Sequence, residues 1–128
     1  QGTFDNADLD QLISPTLDAL GDHDDLLVVA TTGGRPGQRW RGQIPANARI
    51  ADWIPYSALM PHVDVMITNG GYGGVQHALS HGVPLIVAGE TSDKAEVAAR
   101  VDFSGVGIDL ATAAPSPAAI GAAVDRVR

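Results

Sequence analysis

Apolar and polar positions along this chain follow the pattern of short buried strands separated by amphipathic helices, and the pattern is clearest in residues 63–87. Val63–Thr68 is a short apolar run of the kind that forms a strand buried on both faces. Val75–His81 has helical spacing, Gly82 predicts the end of that helix, and Val83–Val87 predicts a second buried strand. The segment therefore predicts a β-α-β unit.

The pattern continues on both sides of this unit. Leucines and an isoleucine at intervals of three and four predict a first helix that ends near Gly21, with Pro15 kinking it or lying one turn from a break. Asp5, Asn6 or Asp8 is expected to cap that helix. Further strands are predicted at 26–30, 48–50 and 105–110, and further helices at 57–60 (capped by Ser57 and stopped by Pro61), after Lys94, and at 118–127. This alternation predicts an α/β doubly wound domain with a parallel, Rossmann-like sheet.

The turn between the first strand and the helix of the β-α-β unit is almost free of side chains. Asn69-Gly70-Gly71-Tyr72-Gly73-Gly74 contains four glycines in six residues. Bare backbone N–H groups at a helix N-terminus allow a phosphate to come close, but an ordinary tight turn also uses glycine. Ligands of doubly wound sheets bind beyond the carboxyl ends of the strands. Five segments are expected to cluster there: Thr3, Thr31–Gly34, Trp53–Tyr56, Asn69–Gly74 and Gly89–Lys94.

Composition and charge narrow the classes of function. The 128 residues, 45% of them hydrophobic, suit one folded domain. A net charge of −7 argues against nucleic-acid binding through a basic surface, and we expect the cluster of Arg35, Arg39 and Arg41 to be a solvated loop. No apolar run approaches the ~20 residues of a membrane span. Cysteine is absent and no metal-ligand spacing is present, so no metal is expected.

Five motifs follow one another in a fixed order: Trp53-x-Pro55, Asn69–Gly74, Gly82-Val83-Pro84, Asp93-Lys94 and Ala98–Val101. Together they resemble the C-terminal donor-binding domain of GT-B glycosyltransferases of family 1, the group of UDP- and dTDP-sugar transferases that includes antibiotic-tailoring enzymes. The resemblance covers nearly the whole chain. It implies an inverting transferase, bacterial and cytoplasmic, that moves a hexosyl group from a UDP- or dTDP-sugar to a hydroxyl of a small natural product. It implies no cofactor, no metal, no nucleic acid and no integral membrane segment.

The resemblance also implies roles for single residues in donor binding. Trp53 would pack on the nucleobase and Ile54 would contact it through the backbone, although Trp53 equally suits a residue that fills a gap between strand and loop. The glycine loop (Gly70, Gly71, Tyr72 and Gly73) would hold the diphosphate. Thr3 would meet the outer phosphate, or act only as a turn or capping hydroxyl. Asp93 would bind the sugar.

Four positions depart from the family pattern. Asn69 replaces a His, so it can donate a hydrogen bond to a phosphate but cannot carry the charge of an imidazolium. Gly74 replaces a Thr or Ser that reaches phosphate, and it leaves only a backbone N–H. His77 replaces the Glu that holds the ribose hydroxyls. Lys94 replaces the Gln of an Asp-Gln pair that binds the sugar.

We expect residues 1–128 to form one donor-binding domain, a fragment whose first strand and N-terminal acceptor domain lie outside the sequence. The family's catalytic base is a His of that N-terminal domain, so no catalytic residue is expected here and the fragment alone is expected to be inactive. The alternatives are a stand-alone nucleotide-sugar-binding subunit without catalysis, a degenerate domain that binds nothing, and a GT-B-like sugar-nucleotide epimerase.

Overall fold

The computed structural model describes residues 7–34, 40–91 and 93–128. Its strands and helices alternate as the sequence predicts. The strands are β1 Val28–Thr31, β2 Ala48–Ala51, β3 Met66–Thr68, β4 Leu85–Val87 and β5 Gly107–Asp109. The helices are α1 Ile13–Leu20, α2 Tyr56–Leu59, α3 Tyr72–Ser80, α4 Lys94–Phe103 and α5 Pro117–Val127, with 3₁₀ turns at Leu9–Gln11 and Met60–His62.

The strand pairs of the described residues are all parallel, but they form two sheets. β1 pairs with β2, from Val28 opposite Ala48 onwards. In the second sheet β4 lies between β3 and β5. The prediction of a parallel α/β fold is therefore confirmed, and the division into two sheets is a feature that the sequence pattern did not predict.

Helices cover β4 on both of its faces. Ile86 and the following Ala88 pack into a core cluster with residues of α1 and α5. Leu85 and Val87 pack into a second cluster with residues of α3 and α4. Because Leu85, Ile86 and Val87 are each 0% exposed, the strand must be apolar on both faces, which explains its continuous hydrophobic run.

Several predicted helix ends are confirmed. Asp8 caps the first 3₁₀ turn, since its Oδ1 accepts a hydrogen bond from the N–H of Asp10 at 2.9 Å. Gly82 follows α3 with a φ of +69°, a left-handed conformation that favours glycine. Pro15 lies inside the first turn of α1, one turn from a break at Leu12 between the 3₁₀ turn and the helix. Asp5 and Asn6, the other predicted caps, lie outside the described residues.

The predicted start and stop of α2 are wrong. The helix begins at Tyr56, and Pro55 precedes it without any side-chain capping bond, so Ser57 is not the cap. Pro61 does not stop the helical segment either, because a 3₁₀ turn at Met60–His62 continues it. Proline is tolerated at the start of a helical turn, where its missing N–H would have no intrahelical partner.

The double burial of β4 generates a stability prediction. Ile86→Ala should lower the free energy of unfolding by about 2–5 kcal/mol, because it removes a fully buried side chain from the core. The matched control is Leu27→Ala, since Leu27 is 67% exposed and its truncation should change stability by less than about 0.5 kcal/mol. Urea unfolding followed by circular dichroism measures both, and equal losses would contradict the assignment of the core.

Candidate functional site

The glycine-rich segment joins β3 to α3 at the carboxyl end of the strand. α3 begins at Tyr72, three residues before the predicted start at Val75, so Gly73 and Gly74 belong to its first turn and not to the preceding loop. The N–H of Val75 donates to the carbonyl of Gly71 at 3.1 Å. The amides of the first turn have no carbonyl of their own helix to bond, and no side chain caps them. This helix end therefore presents backbone donors.

Two glycines of the site are required by close packing around the turn. Gly70 has a φ of +85°, and a β-carbon there would lie 3.0 Å from Val87 Cγ1. A β-carbon on Gly89, beyond the end of β4, would overlap the backbone oxygen of Asn69. Gly70 therefore has the structural role in a tight turn that the sequence left open for the glycines of the Asn69–Gly74 motif. Gly89 is required by the contact with Asn69.

Gly71 and Gly73 have a different environment. A β-carbon on Gly71 would meet only Asn69 Oδ1, at 3.9 Å, and one on Gly73 would meet nothing within 4 Å. Tyr72, which lies between them, is 64% exposed. Packing does not require glycine at these two positions, and the surface beside the first-turn amides is open. That is the geometry in which a phosphate can reach backbone N–H groups.

Gly74 faces Tyr56 instead of open space. A β-carbon on Gly74 would lie 3.4 Å from the Tyr56 hydroxyl and 3.2 Å from Met66 Cε. The ring of Tyr56 also packs against the ring of His77, with centroids 5.4 Å apart and planes at 58°. Burial raises the pKa of Tyr56, so its hydroxyl stays protonated at neutral pH. The sequence predicts no role for Tyr56, because nothing in its motif indicates a contact with Gly74 or His77.

The N-terminus of α4 lies against the glycine turn. Lys94, the first residue of α4, is 8% exposed, and its Cβ would lie 3.5 Å from a β-carbon on Gly70. Asn69 is 7% exposed at the end of β3. Asp93 is exposed and precedes α4 without a side-chain capping bond. The structure thus brings Asn69, Gly70 and Lys94 together, as the expected clustering requires, with the stem of Lys94 buried.

The segments that follow β1 and β2 form a neighbouring group. The Thr32 hydroxyl donates to Asp52 Oδ1 at 3.4 Å, and a β-carbon on Gly34 would lie 3.8 Å from Trp53 Cβ. The indole of Trp53 is 65% exposed, so it does not fill an interior gap, while Ile54 is half-buried. Tyr56 connects this group to α3 through Gly74 and His77. Thr3 lies outside the described residues, as do Arg35 and Arg39.

Within 7–34, 40–91 and 93–128, no three histidine or acidic side chains lie close enough together to hold a metal ion. Helices in the same ranges are too short or too polar to cross a membrane.

Parallel strands flanked by helices, with an open helix N-terminus at the carboxyl ends of the strands, define a Rossmann-like α/β domain. Residues 14–128 match the family described as "Erythromycin biosynthesis protein CIII-like, C-terminal domain". The chain belongs to this family. The resemblance to the C-terminal domain of family-1 GT-B glycosyltransferases, based on the order of the motifs, is thereby confirmed.

Curated relatives are similar over most of the chain. "UDP-glucosyltransferase A1" of Starmerella bombicola is 48% identical over an alignment of 129 positions that covers 99% of this chain and 27% of the relative. "4'-demethylrebeccamycin synthase" of Lentzea aerocolonigenes is 54% identical over 110 positions, covering 86% of this chain and 25% of that protein. The crystal structure of the glycotransferase of kitacinnamycin superposes with a TM-score of 0.81 at 28% identity, over 90% of this chain and 30% of that one. The chain spans about a quarter of the length of the curated relatives.

The difference between the closely packed Gly89 and the open Gly73 generates a second prediction. Gly89→Ala should lower the free energy of unfolding by about 1–3 kcal/mol, because its β-carbon would force Asn69 away from the end of β4. Gly73→Ala is the control, since it adds the same methyl group in open space within a helix, where alanine is favoured by up to about 1 kcal/mol. Thermal unfolding of the two variants measures the difference. Similar midpoints would show that the contact between the two strand ends does not constrain the fold.

Proposed function

We propose that this domain binds the donor of an inverting hexosyltransferase, a UDP- or dTDP-sugar, at the N-terminus of α3. The observation that carries the proposal is the open first turn of α3, with Gly71 and Gly73 free of contacts that would require glycine for packing. Membership of the family and the similarity to proteins named as UDP-glucosyltransferases support the same conclusion.

The charge of the chain makes the helix end the natural position for a diphosphate. The net charge is −7, which argues against attraction of the diphosphate by a broad basic surface. Aligned peptide dipoles place roughly half a positive charge at a helix N-terminus, and the first-turn amides add hydrogen bonds to phosphate oxygens. α3 is nine residues long, which is enough for several peptide dipoles to contribute.

The remaining assignments follow the two groups of residues around α3. We assign the diphosphate to the amides of Gly71, Tyr72 and Gly73 together with Asn69 and Thr3. The base is assigned to Trp53 and the backbone of Ile54, which lie beyond β2. To His77, which packs on Tyr56, we assign one hydrogen bond with a ribose hydroxyl. The sugar is assigned to Asp93 and Lys94 at the start of α4.

The proposed reaction is a direct displacement with inversion. The oxygen of an acceptor hydroxyl forms a bond to the anomeric carbon while the bond from that carbon to the diphosphate oxygen breaks. The hydroxyl proton passes to a base, and the nucleotide diphosphate leaves with the bonding electrons. The α3 N-terminus stabilises the charge that develops on the leaving group. We place the catalytic base and the acceptor site in a second domain, and we propose a small natural product as the acceptor. We also propose that the reaction is cytoplasmic and uses no metal or cofactor.

Isothermal titration with UDP, dTDP and their sugar conjugates tests the proposed donor site. Gly71→Asp should weaken binding at least about tenfold, because it places a carboxylate beside the phosphate position. The fold should tolerate this change, since Gly71 is the N-cap of α3 with a φ of −59°, and Asp is a favoured N-cap residue. The control is Gly121→Asp on α5, another glycine whose β-carbon would meet nothing within 4 Å.

Equal affinity in the Gly71→Asp variant and in the unsubstituted chain would place the phosphates elsewhere. Trp53→Ala should also weaken binding if the base stacks on the indole, and the preferred nucleotide identifies the donor class. If the unsubstituted chain binds none of the compounds, a variant with both Asn69→His and His77→Glu separates two explanations. Recovered binding would mean that these departures had disabled the site, and continued failure would mean that the site needs the second domain.

A further inference from the structure

The side chain of Tyr56, at the start of α2, ends in a hydroxyl that the fold does not use for hydrogen bonding. Tyr56 is half-buried, and within residues 7–34, 40–91 and 93–128 its hydroxyl has no hydrogen-bond partner. A buried tyrosine usually finds a partner for its O–H group. The oxygen is not sealed off from solvent, so a molecule from outside the protein can reach it. A ligand can therefore supply the partner.

The protonation state of Tyr56 makes this hydroxyl a hydrogen-bond donor. Burial raises the pKa of Tyr56 above its usual range, so the O–H keeps its proton at neutral pH. A hydrogen bond from a neutral O–H to a charged oxygen is roughly twice as strong as one between two neutral groups. An anion is therefore the partner that this hydroxyl would bind most strongly.

The hydroxyl lies beside the first turn of α3. Gly74 is the third residue of that helix, and a β-carbon there would lie 3.4 Å from the Tyr56 hydroxyl. Nitrogen and β-carbon are each bonded to the same α-carbon at about 1.5 Å, so the hydroxyl lies within about 6 Å of the Gly74 nitrogen. One phosphate group can accept hydrogen bonds from two donors at such a separation. The hydroxyl and the first-turn amides can thus share one phosphate.

Contacts on two sides hold the ring of Tyr56 in position. The ring of His77 packs against it, with centroids 5.4 Å apart. A β-carbon on Gly74 would lie 3.6 Å from its Cε2, so a side chain larger than that of alanine would displace the ring. A donor that is already oriented loses little freedom when it binds a ligand. The environment therefore keeps the hydroxyl beside the helix end.

We propose that the Tyr56 hydroxyl donates a hydrogen bond to a phosphate oxygen of the nucleotide-sugar donor, next to the first-turn amides of α3. The inference rests on the proposed function and adds to the same site a side-chain contact from α2. The proton stays on Tyr56 throughout the displacement. The bond becomes stronger as negative charge collects on the departing diphosphate, so Tyr56 contributes to the reaction as well as to donor binding.

NMR titration of this chain with inorganic pyrophosphate, at constant ionic strength, tests the proposal without a nucleotide. The amide signals of residues 72–74 should shift on titration. Tyr56→Phe removes one oxygen and keeps the ring against His77, and it should raise the Kd for pyrophosphate about tenfold, as expected for the loss of a hydrogen bond to a charged group. The matched control is Ser57→Ala, which removes the hydroxyl of the next, exposed residue and should leave the Kd unchanged.

Three results would overturn the proposal. An equal Kd in Tyr56→Phe and in the unsubstituted chain would show that the hydroxyl does not bind the anion. Titration shifts that are absent from residues 72–74 would place the anion away from α3. A lower midpoint of thermal unfolding in Tyr56→Phe would show that the hydroxyl bonds within the protein, because removal of a hydroxyl without a partner should not destabilise the fold.

Failure of this proposal is distinguishable from failure of the proposed function. If Tyr56→Phe leaves pyrophosphate binding unchanged while Gly71→Asp weakens the binding of UDP or dTDP, the donor site stands without Tyr56. If pyrophosphate binding depends on Tyr56 and neither nucleotide binds, the phosphate contact stands and the assignment of a nucleotide fails.

Discussion

The close approach of the carboxyl ends of β3 and β4 constrains the rest of the site. The backbone oxygen of Asn69 occupies the space that a side chain at residue 89 would need, and Gly70 must adopt a positive φ beside Val87. This contact is possible because β4 is buried on both faces and pairs with β3 along its length. It fixes the direction in which the chain leaves β3, and therefore the position of the α3 N-terminus relative to the first turn of α4.

The candidate site relies on backbone groups to a greater degree than on charged side chains. By the resemblance, Asn69 corresponds to a His and Gly74 to a Thr or Ser, so an amide and a bare N–H would stand where two other phosphate contacts are expected. The environment of Gly74 gives a structural account of its substitution, because Tyr56 and Met66 occupy the space that a side chain would enter. The hydroxyl of Tyr56 lies close to that position, and the same ring supports His77.

The parts of the fold that the sequence predicts well are those decided by local chemistry. Double burial leaves continuous apolar runs such as Val83–Val87, and Gly82 marks a helix end through its positive φ. The start of α3 is mispredicted because glycine has low helix propensity, so Gly73 and Gly74 conceal the first turn. Non-local features were out of reach. Neither the contact between Tyr56 and His77 nor the division of the strands into two sheets has a periodic signature in the sequence.

The position of the candidate site follows from the topology of the parallel strands. In a doubly wound sheet the ligand binds in a crevice outside the carboxyl ends of the strands. In this chain the glycine turn lies at the carboxyl end of β3, and α3 begins directly after it. The parallel pairing of β3 with β4 therefore sets the position of the backbone groups at which we propose that the donor binds.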